Sequence, residues 1–526
     1  MENIQAPLLI LHGLHDPYVP PEQSEELVEA LKRAGKTYEY KTYVDEGHGI
    51  LRQKNLSPQR NGGKPLAYTI ISPEAVEEIH QASLRVLSET GILIDDGEAR
   101  ALLFDYGAKE TKGRVCIPPE LVEACLEDCP ERVTLRGRGR EVVLGDGKLH
   151  VHNMGGARDV IDPLGNQLRP ATAADVAEST RLLDALENVT TITPLYTPRD
   201  VPSEWMVLSM FDQTLRHTLK PINGPGVRSR AELIKLVEMM KVVFGDQPSI
   251  SVGVSPVSPL NFLGEVAQVM METARQGLPF GPLPCPSTGA TAPMSLAGSL
   301  VQQNAENLAA IVLVQLTRPG LPVVYCGRLS VLNMRSGSPI WGNPEVGMMS
   351  AASVQLGHHY HLPVNVYGLA DSGFATDMQS GYERALNALV PALAGADELS
   401  GVGEMAGGVC SCNAQIVIDN DIYGMVQRVR NGFTVDPDSL AVEVIAHAMD
   451  TTRNFLREPH TRKYLRAGEV WQGRLGVQES GWEMWTAAGS PTVMERAGQE
   501  VERILAEHQV PPLPEEQSRE LEKFFR

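Results

Sequence analysis

The sequence predicts an α/β protein whose largest part is a (β/α)8 barrel, and three observations carry that reading. Eight short apolar, β-rich runs lie near 149–153, 189–193, 219–223, 249–254, 279–284, 322–327, 363–367 and 398–402, with starts 30–43 residues apart. Each is followed by a loop rich in Gly, Pro, Ser or Asn and then by a stretch of helical periodicity, as at 173–186, 230–243, 264–276, 295–317 and 381–393. Strands alternating with helices imply parallel βαβ units, and eight of them across 147–412 match the roughly 250 residues such a barrel needs. An open doubly wound sheet is the alternative, disfavoured because no G-x-G-x-x-G follows an early strand.

The N-terminal stretch reads as a separate fragment over 1–56. Residues 7–11 (PLLIL) form a strand. Residues 22–34 form an amphipathic helix with Leu27, Val28 and Leu31 on one face and Gly35 as its stop, and 38–44 (YEYKTYV) alternate like a second strand. This strand–Asp–helix–strand–His order, with Asp16 and His48 32 residues apart, resembles the end of an α/β-hydrolase of the prolyl oligopeptidase type over 5–52. There Asp16 would orient His48 as general base. In that fold the order is Ser, Asp, His, with the Ser on a G-x-S-x-G elbow. The chain contains no G-x-S-x-G, and an Asp–His pair without a nucleophile cannot perform acyl transfer. Asp16 and His48 are therefore a vestigial pair, in a relic or a fusion, and a serine hydrolase or peptidase is the disfavoured alternative. Residues 57–68, polar with Gly-Gly and Pro, read as a linker.

From 69 to 146 the sequence predicts an α+β cap. Ser72 and Pro73 mark a helix start as N-cap and first helical residue. TGILID (90–95) is a short strand, helices follow at 97–107 and 118–129, and VTLRGRGREVVLGDG forms a hairpin. Residues 413–526 form a C-terminal, mainly helical extension.

Composition bounds the function. With 46 basic and 65 acidic residues the net charge is −19, which disfavours a nucleic-acid partner, since that needs a basic face. No apolar run reaches the roughly 18–20 residues of a membrane span, and the start lacks the basic region and cleavage site of a signal peptide. Seven cysteines in 526 residues make no disulfide framework. The expectation is a cytoplasmic enzyme with no membrane partner. Metal readings are weak: Cys410-x-Cys412 lacks a second pair, Cys125 and Cys129 share a helix face, and His358 and His361 lack further ligands, so no metal is expected.

Barrel enzymes place their chemistry on loops at strand C-terminal ends. Among carboxylates there, Asp371 and Glu404 are the candidate catalytic groups. Tyr196, Tyr325, Trp341, Tyr367 and Phe374 all fall at or just past strand ends, and aromatic faces with carboxylates suit a quaternary ammonium through cation–π attraction. Gln379 is a candidate for a substrate carboxylate or a cofactor. The loop after 327 is near 20 residues long, the length of a lid or binding element.

The blocks SPEAVEEIHQASLRVLSETGI, IPPELVEACL, PATAADVAESTRLLDAL, CPSTGATAPMSLAGSLVQQNAENLA, SGSPIWGNPE, GLADSGFATDMQSGYE and PPLPEEQSRELEKFF occur in that order. They resemble the trimethylamine methyltransferase family over about 69–526. The resemblance implies a barrel enzyme that passes a methyl group from a methylated amine to the cobalt(I) corrinoid of a partner protein, with no cofactor bound permanently. Trimethylamine-specific members use pyrrolysine. This chain has only the twenty ordinary residues, and around Asp371–Phe374 it reads Asp-Ser-Gly. That implies the pyrrolysine-lacking branch, similar to glycine-betaine methyltransferases. A D-x-H-x-x-G cobalamin-ligand motif is absent, so the corrinoid is expected on a separate corrinoid protein docking at an open barrel mouth. A homo-oligomer is compatible with this reading. A non-catalytic protein binding betaine-type ligands is the second alternative.

Overall fold

Short β-rich runs can bury both faces only if helices cover them, and the chain supplies one helix after each run. In the computed structural model, residues 8–13, 21–36, 38–43, 68–224, 226–247, 249–476 and 481–526 are described. Asp16, His48 and the linker 57–66 lie outside the described residues. The chain divides into two units, Met1–Lys64 and Pro65–Arg526.

In the first unit, strands Leu8–Gly13 and Tyr38–Tyr43 pair in parallel, Leu8 opposite Tyr38 and Gly13 opposite Tyr43. Helix Pro21–Arg33 connects them and buries Val28 and Leu31. This is the β-α-β order expected from the apolar spacing.

The second unit begins with helix Pro73–Arg85, whose N-cap Ser72 accepts from the Ala75 N–H at 3.2 Å. Strand Leu93–Ile94 pairs in parallel with Asn261–Phe262. Helices Gly97–Asp105 and Pro119–Glu127 follow, then the antiparallel hairpin Val133–Arg136/Glu141–Leu144. Val133, Leu135, Val142 and Leu144 from that hairpin pack on Val324 and Cys326.

Eight parallel segments succeed one another after the hairpin. His150–Asn153 is bridged to Thr191, and Ile192 to Ile222. Ile222–Gly224 pairs with Ile250–Val254, and that with Phe280–Pro282. Phe280 is bridged to Val323, and Tyr325–Gly327 pairs with Val364–Tyr367. Glu398–Val402 pairs with Val364–Tyr367 on one side and with His150–Asn153, the first segment, on the other. The helix after each segment is in turn Ala173–Ala185, Met206–His217, Arg230–Phe244, Val266–Gln276, Leu296–Thr317, Pro344–His359, Met378–Ala394 and Asn413–Asn431. The last of these lies beyond residue 412, inside the stretch expected as extension.

Helix starts are set by side-chain caps that satisfy otherwise orphaned amides. Thr172 and Asp175 form a reciprocal capping box, and Ser229 and Asp377 cap their helices. Val, Ile and Leu from the outward faces of the segments and the inward faces of the helices make one continuous core. Helix Leu296–Thr317 is buried along most of its length, including Gln303, Asn304, Glu306 and Asn307. Among the described residues no helix is long and apolar enough to cross a membrane.

Candidate functional site

Side chains along a strand alternate between faces, so the inward members of the eight segments share one space. That space is a cavity of about 350 Å³. Leu135 and Leu144 of the hairpin line it together with Phe280 and Val324. From the strand C-terminal ends and the loops beyond come Cys285, Arg328, Tyr367, Glu404, Gly407 and Gly408.

A belt of directed hydrogen bonds crosses the wall. Ser251 Oγ donates to Asn223 Oδ1 at 2.8 Å, Asn223 Nδ2 to Thr191 Oγ1 at 3.0 Å, and Thr191 Oγ1 to Glu398 Oε1 at 2.8 Å. Asn365 Nδ2 donates to Glu398 Oε2 and, at 2.9 Å, to His152 Nε2. His152 Nδ1 donates to the Asn153 carbonyl at 2.7 Å. A carbonyl can only accept, so the ring proton sits on Nδ1 and Nε2 is the acceptor. Burial holds the His152 pKa below its ordinary value, which keeps the ring neutral.

Arg328 is held from behind by helix Leu296–Thr317. Its backbone N–H donates to Gln303 Oε1 at 2.8 Å, and Asn307 Nδ2 donates to the Cys326 carbonyl at 2.9 Å. The Arg328 guanidinium stands 4.6 Å from the centroid of the Tyr367 ring and donates to the Asn365 side chain.

Behind the strand-end loops lies a second charged group. Arg384, fully buried, donates from Nη1 to Asp419 Oδ2 at 2.8 Å and from Nε to Ser380 Oγ at 2.8 Å. It also donates to the carbonyls of Leu369 and Glu404. Its Nη2 lies 3.2 Å from Asp371 Oδ2, an ion pair without hydrogen-bond geometry. One guanidinium thus ties together the loops after two neighbouring strands. It faces three buried carboxyls, Asp371, Asp419 and Glu404. Burial pushes Glu404 up to about 8, with Asp371 adding to the rise and Arg384 opposing it. Burial likewise lifts Asp419 to about 7 and raises Asp371. Like charges sharing one counter-ion in a dry site cannot all ionise together.

Glu404 reaches the cavity wall, and it has no ion-pair partner within 4.0 Å among the described residues. Tyr367 also lines the cavity, but one face of its ring is taken by Arg328. Trp341 packs edge-on against Tyr367 at 4.9 Å between centroids. It is fixed by Ser372 Oγ, which accepts from its backbone N–H at 3.1 Å, and by Gly407. Gly407 has φ +65°, and a Cβ there would come within 2.3 Å of Trp341 Cδ1, so only glycine allows this approach. A Cβ at Gly342 would fall 1.7 Å from the Glu383 carboxylate, so a larger residue there would push that side chain off the Ser372 N–H it holds at 3.0 Å.

The other sequence candidates lie elsewhere. Asp371 is behind the loops with Arg384 and does not line the cavity. Tyr325 points outward, donating to Asn304 Oδ1 at 2.9 Å, because its neighbours Val324 and Cys326 hold the inward positions. Tyr196 is buried away from the cavity, bridged through its backbone to Ala157. Phe374 is 56% exposed on its loop, and Gln379 donates to Glu383 Oε1 at 2.9 Å on helix Met378–Ala394. Neither lines the cavity. Composition and motif did not single out His152, Cys285, Arg328, Asn365 or Glu398. Counting inward parity from each predicted strand would have found the residues on the strands.

Cys285 is open to the cavity yet enclosed by protein at longer range, so burial lifts its thiol to about 11. Cys412 caps helix Asn413–Asn431, and His358 bonds Asp397 at 2.9 Å. Among the described residues no cluster of three His, Cys, Asp or Glu is placed to hold a metal.

Residues 51–526 match the sequence model of a family described as trimethylamine methyltransferase (MTTB). Residues 1–60 match that of the prolyl oligopeptidase family. Trimethylamine methyltransferase MttB of Desulfitobacterium hafniense (strain DCB-2) is 33% identical over 458 residues, covering 84% of this chain and 90% of that one. Trimethylamine methyltransferase MttB2 of Methanosarcina mazei is 30% identical over 485 residues, covering 88% and 96%. Glycine betaine methyltransferase of D. hafniense (strain Y51) is 29% identical over 469 residues, covering 87% and 96%. The crystal structure of the Methanosarcina barkeri monomethylamine methyltransferase (MtmB) superposes with a TM-score of 0.48 at 14% identity, covering 86% of this chain and 91% of that one.

Proposed function

The chain belongs to the trimethylamine methyltransferase family, and from that premise we propose that it moves a methyl group from a quaternary or methylated amine to the cobalt(I) corrinoid of a partner protein. The observation that carries the reading is Glu404, a buried carboxyl without an ion partner that opens onto a small internal cavity. About 350 Å³ lies at the small end of the roughly 300–1,000 Å³ of ligand pockets. A methylated amine fits inside. A corrin ring does not, so it approaches from the strand-end side, where Glu404, Gly407 and Gly408 lie.

Cobalt(I) supplies the electron pair that takes the methyl carbon, and the carbon–nitrogen bond breaks with its pair left on nitrogen. A quaternary donor leaves as a neutral amine and needs no proton. Glu404 lies where it would face the ammonium, while Trp341, packed on Tyr367, does not itself line the cavity. Asp371 acts through Arg384 as a positioning residue that keeps the Leu369 and Glu404 loops in register. Phe374 and Gln379 lie off the cavity wall and take no part in holding the donor. We also infer that the parallel segments form a (β/α)8 barrel between the cap of 69–146 and the C-terminal extension, a reading supported by pairings that return to their first member and a helix after every segment.

The test is to mix the full chain with cobalt(I) cobalamin and glycine betaine, carnitine, proline betaine or trimethylamine, and to follow the corrinoid spectrum. Conversion to the methylated form with a quaternary amine is expected. No conversion with any of them, alongside tight betaine binding by calorimetry, would leave a binding protein instead.

A further inference from the structure

Two buried guanidinium groups stand beside the cavity, and they are held differently. Arg384 meets Asp371 and Asp419. Arg328, 6% exposed and on the cavity wall, has no carboxylate within 4.0 Å among the described residues. Its Nη1 donates to the carbonyls of Gly327 at 3.0 Å and Asn365 at 3.4 Å, and its Nη2 to Asn365 Oδ1. A guanidinium has five N–H groups. The Nε–H and the second Nη2–H have no acceptor among the described residues, and the Nε nitrogen is not shut off from open space. Tyr367 covers one flat face and leaves the edge. Gln303 holds the backbone, so the group is pre-positioned.

A buried charge without a counter-charge is costly unless a ligand brings one. The open edge of a guanidinium matches the two oxygens of a carboxylate. Its hydrogen-bonded link to a carboxyl of the wall is indirect: Asn365 accepts from Arg328 and donates to Glu398. A ligand that brought only a positive charge would meet Arg328 unpaired.

We propose that Arg328 is the anion anchor of this cavity, and that the methyl donor is a zwitterion, a quaternary ammonium carboxylate held by its carboxylate on Arg328 with its ammonium toward Glu404. This rests on the methyl-donor reading above and narrows it. The carbon–nitrogen bond breaks with its electrons on nitrogen, cobalt(I) supplies the pair for the new bond to carbon, and the product is a tertiary amino acid whose carboxylate stays on Arg328. No proton is consumed. Amines without an acidic group, trimethylamine among them, are poor donors.

The experiment compares glycine betaine, carnitine and proline betaine with tetramethylammonium and choline, by calorimetry and by methyl transfer to cobalt(I) cobalamin. In the native chain at least one zwitterion binds about 100-fold more tightly than both carboxylate-free amines, the scale set by a buried charge pair. Arg328→Gln abolishes that preference by weakening the zwitterion alone, and Arg328→Lys, which keeps the charge but loses the fork, falls between. Tetramethylammonium binding as tightly as every zwitterion, or Arg328→Gln weakening both classes by one factor, overturns the anchor. Should Arg328→Gln fail to fold by circular dichroism, the native panel and Arg328→Lys decide. Preference for zwitterions without methyl transfer keeps the anchor and removes the reaction. Methyl transfer without preference does the reverse.

Discussion

Glu404 is a carboxyl in an unusual state for neutral pH, and the cause is local. Burial raises its pKa to about 8 against an ordinary value near 4.5, and Asp371 adds to the rise. Between those values the folded chain holds a proton that the unfolded chain has released, so stability falls as pH rises across that window. Asp419, lifted to about 7, contributes the same sign over a narrower range. Glu404→Gln removes the larger part of the decline. Thermal melts from pH 5 to 8.5 are therefore expected to fall in the native chain and to flatten in the variant; parallel curves would remove the assignment. A cation bound beside Glu404 favours its ionised form, so the KM for a quaternary donor should drop as pH approaches 8, and the variant should show a higher, pH-independent KM. Arg328 shows what residue type alone hides. It is one basic residue among 46, and only its lack of a nearby carboxylate beside a cavity distinguishes it from Arg384.

At the scale of elements, helix Leu296–Thr317 holds the wall as well as covering it. Gln303 accepts from the Arg328 N–H and donates to Ser353 Oγ at 2.9 Å. Gln303→Leu keeps the volume and leaves both groups unpaired in the core. A loss of about 1–3 kcal/mol is expected from urea denaturation, with a raised KM because Arg328 loses its brace. An unchanged denaturation midpoint would show that the helix only packs. The helices themselves were legible from local signals: Ser72 with Pro73, Thr172 with Asp175, and Asp377 before Met378 announce helix starts whatever the tertiary context. The strand aromatics were not. Tyr325 and Tyr367 both sit at strand ends, yet the first points to the helices and the second to the cavity. In segments of three or four residues, a one-position shift reverses every face, and sequence leaves such short runs uncertain by that much.

For the whole molecule, every cavity-lining residue falls between Leu135 and Gly408, within the unit Pro65–Arg526. A chain shortened to residues 65–526 is expected to keep methyl transfer and its melting temperature, and the full chain to stay unlabelled by a fluorophosphonate probe. Loss of transfer on shortening would assign the first unit a role, and labelling would revive a hydrolase. By itself the sequence determined the order of strands and helices, the two-part division of the chain and the family, because periodicity, caps and ordered blocks are written along the chain. It also pointed to Glu404, from its place in a strand-end loop. Only the tertiary structure decided that Asp371 stands behind the cavity with Arg384, that Tyr196 and Tyr325 turn away, and that Arg328, His152, Asn365 and Glu398 face one another. Those facts depend on strand parity and on hydrogen bonds between residues up to 213 positions apart, such as His152 and Asn365, and no local pattern encodes which distant side chains the packing brings together.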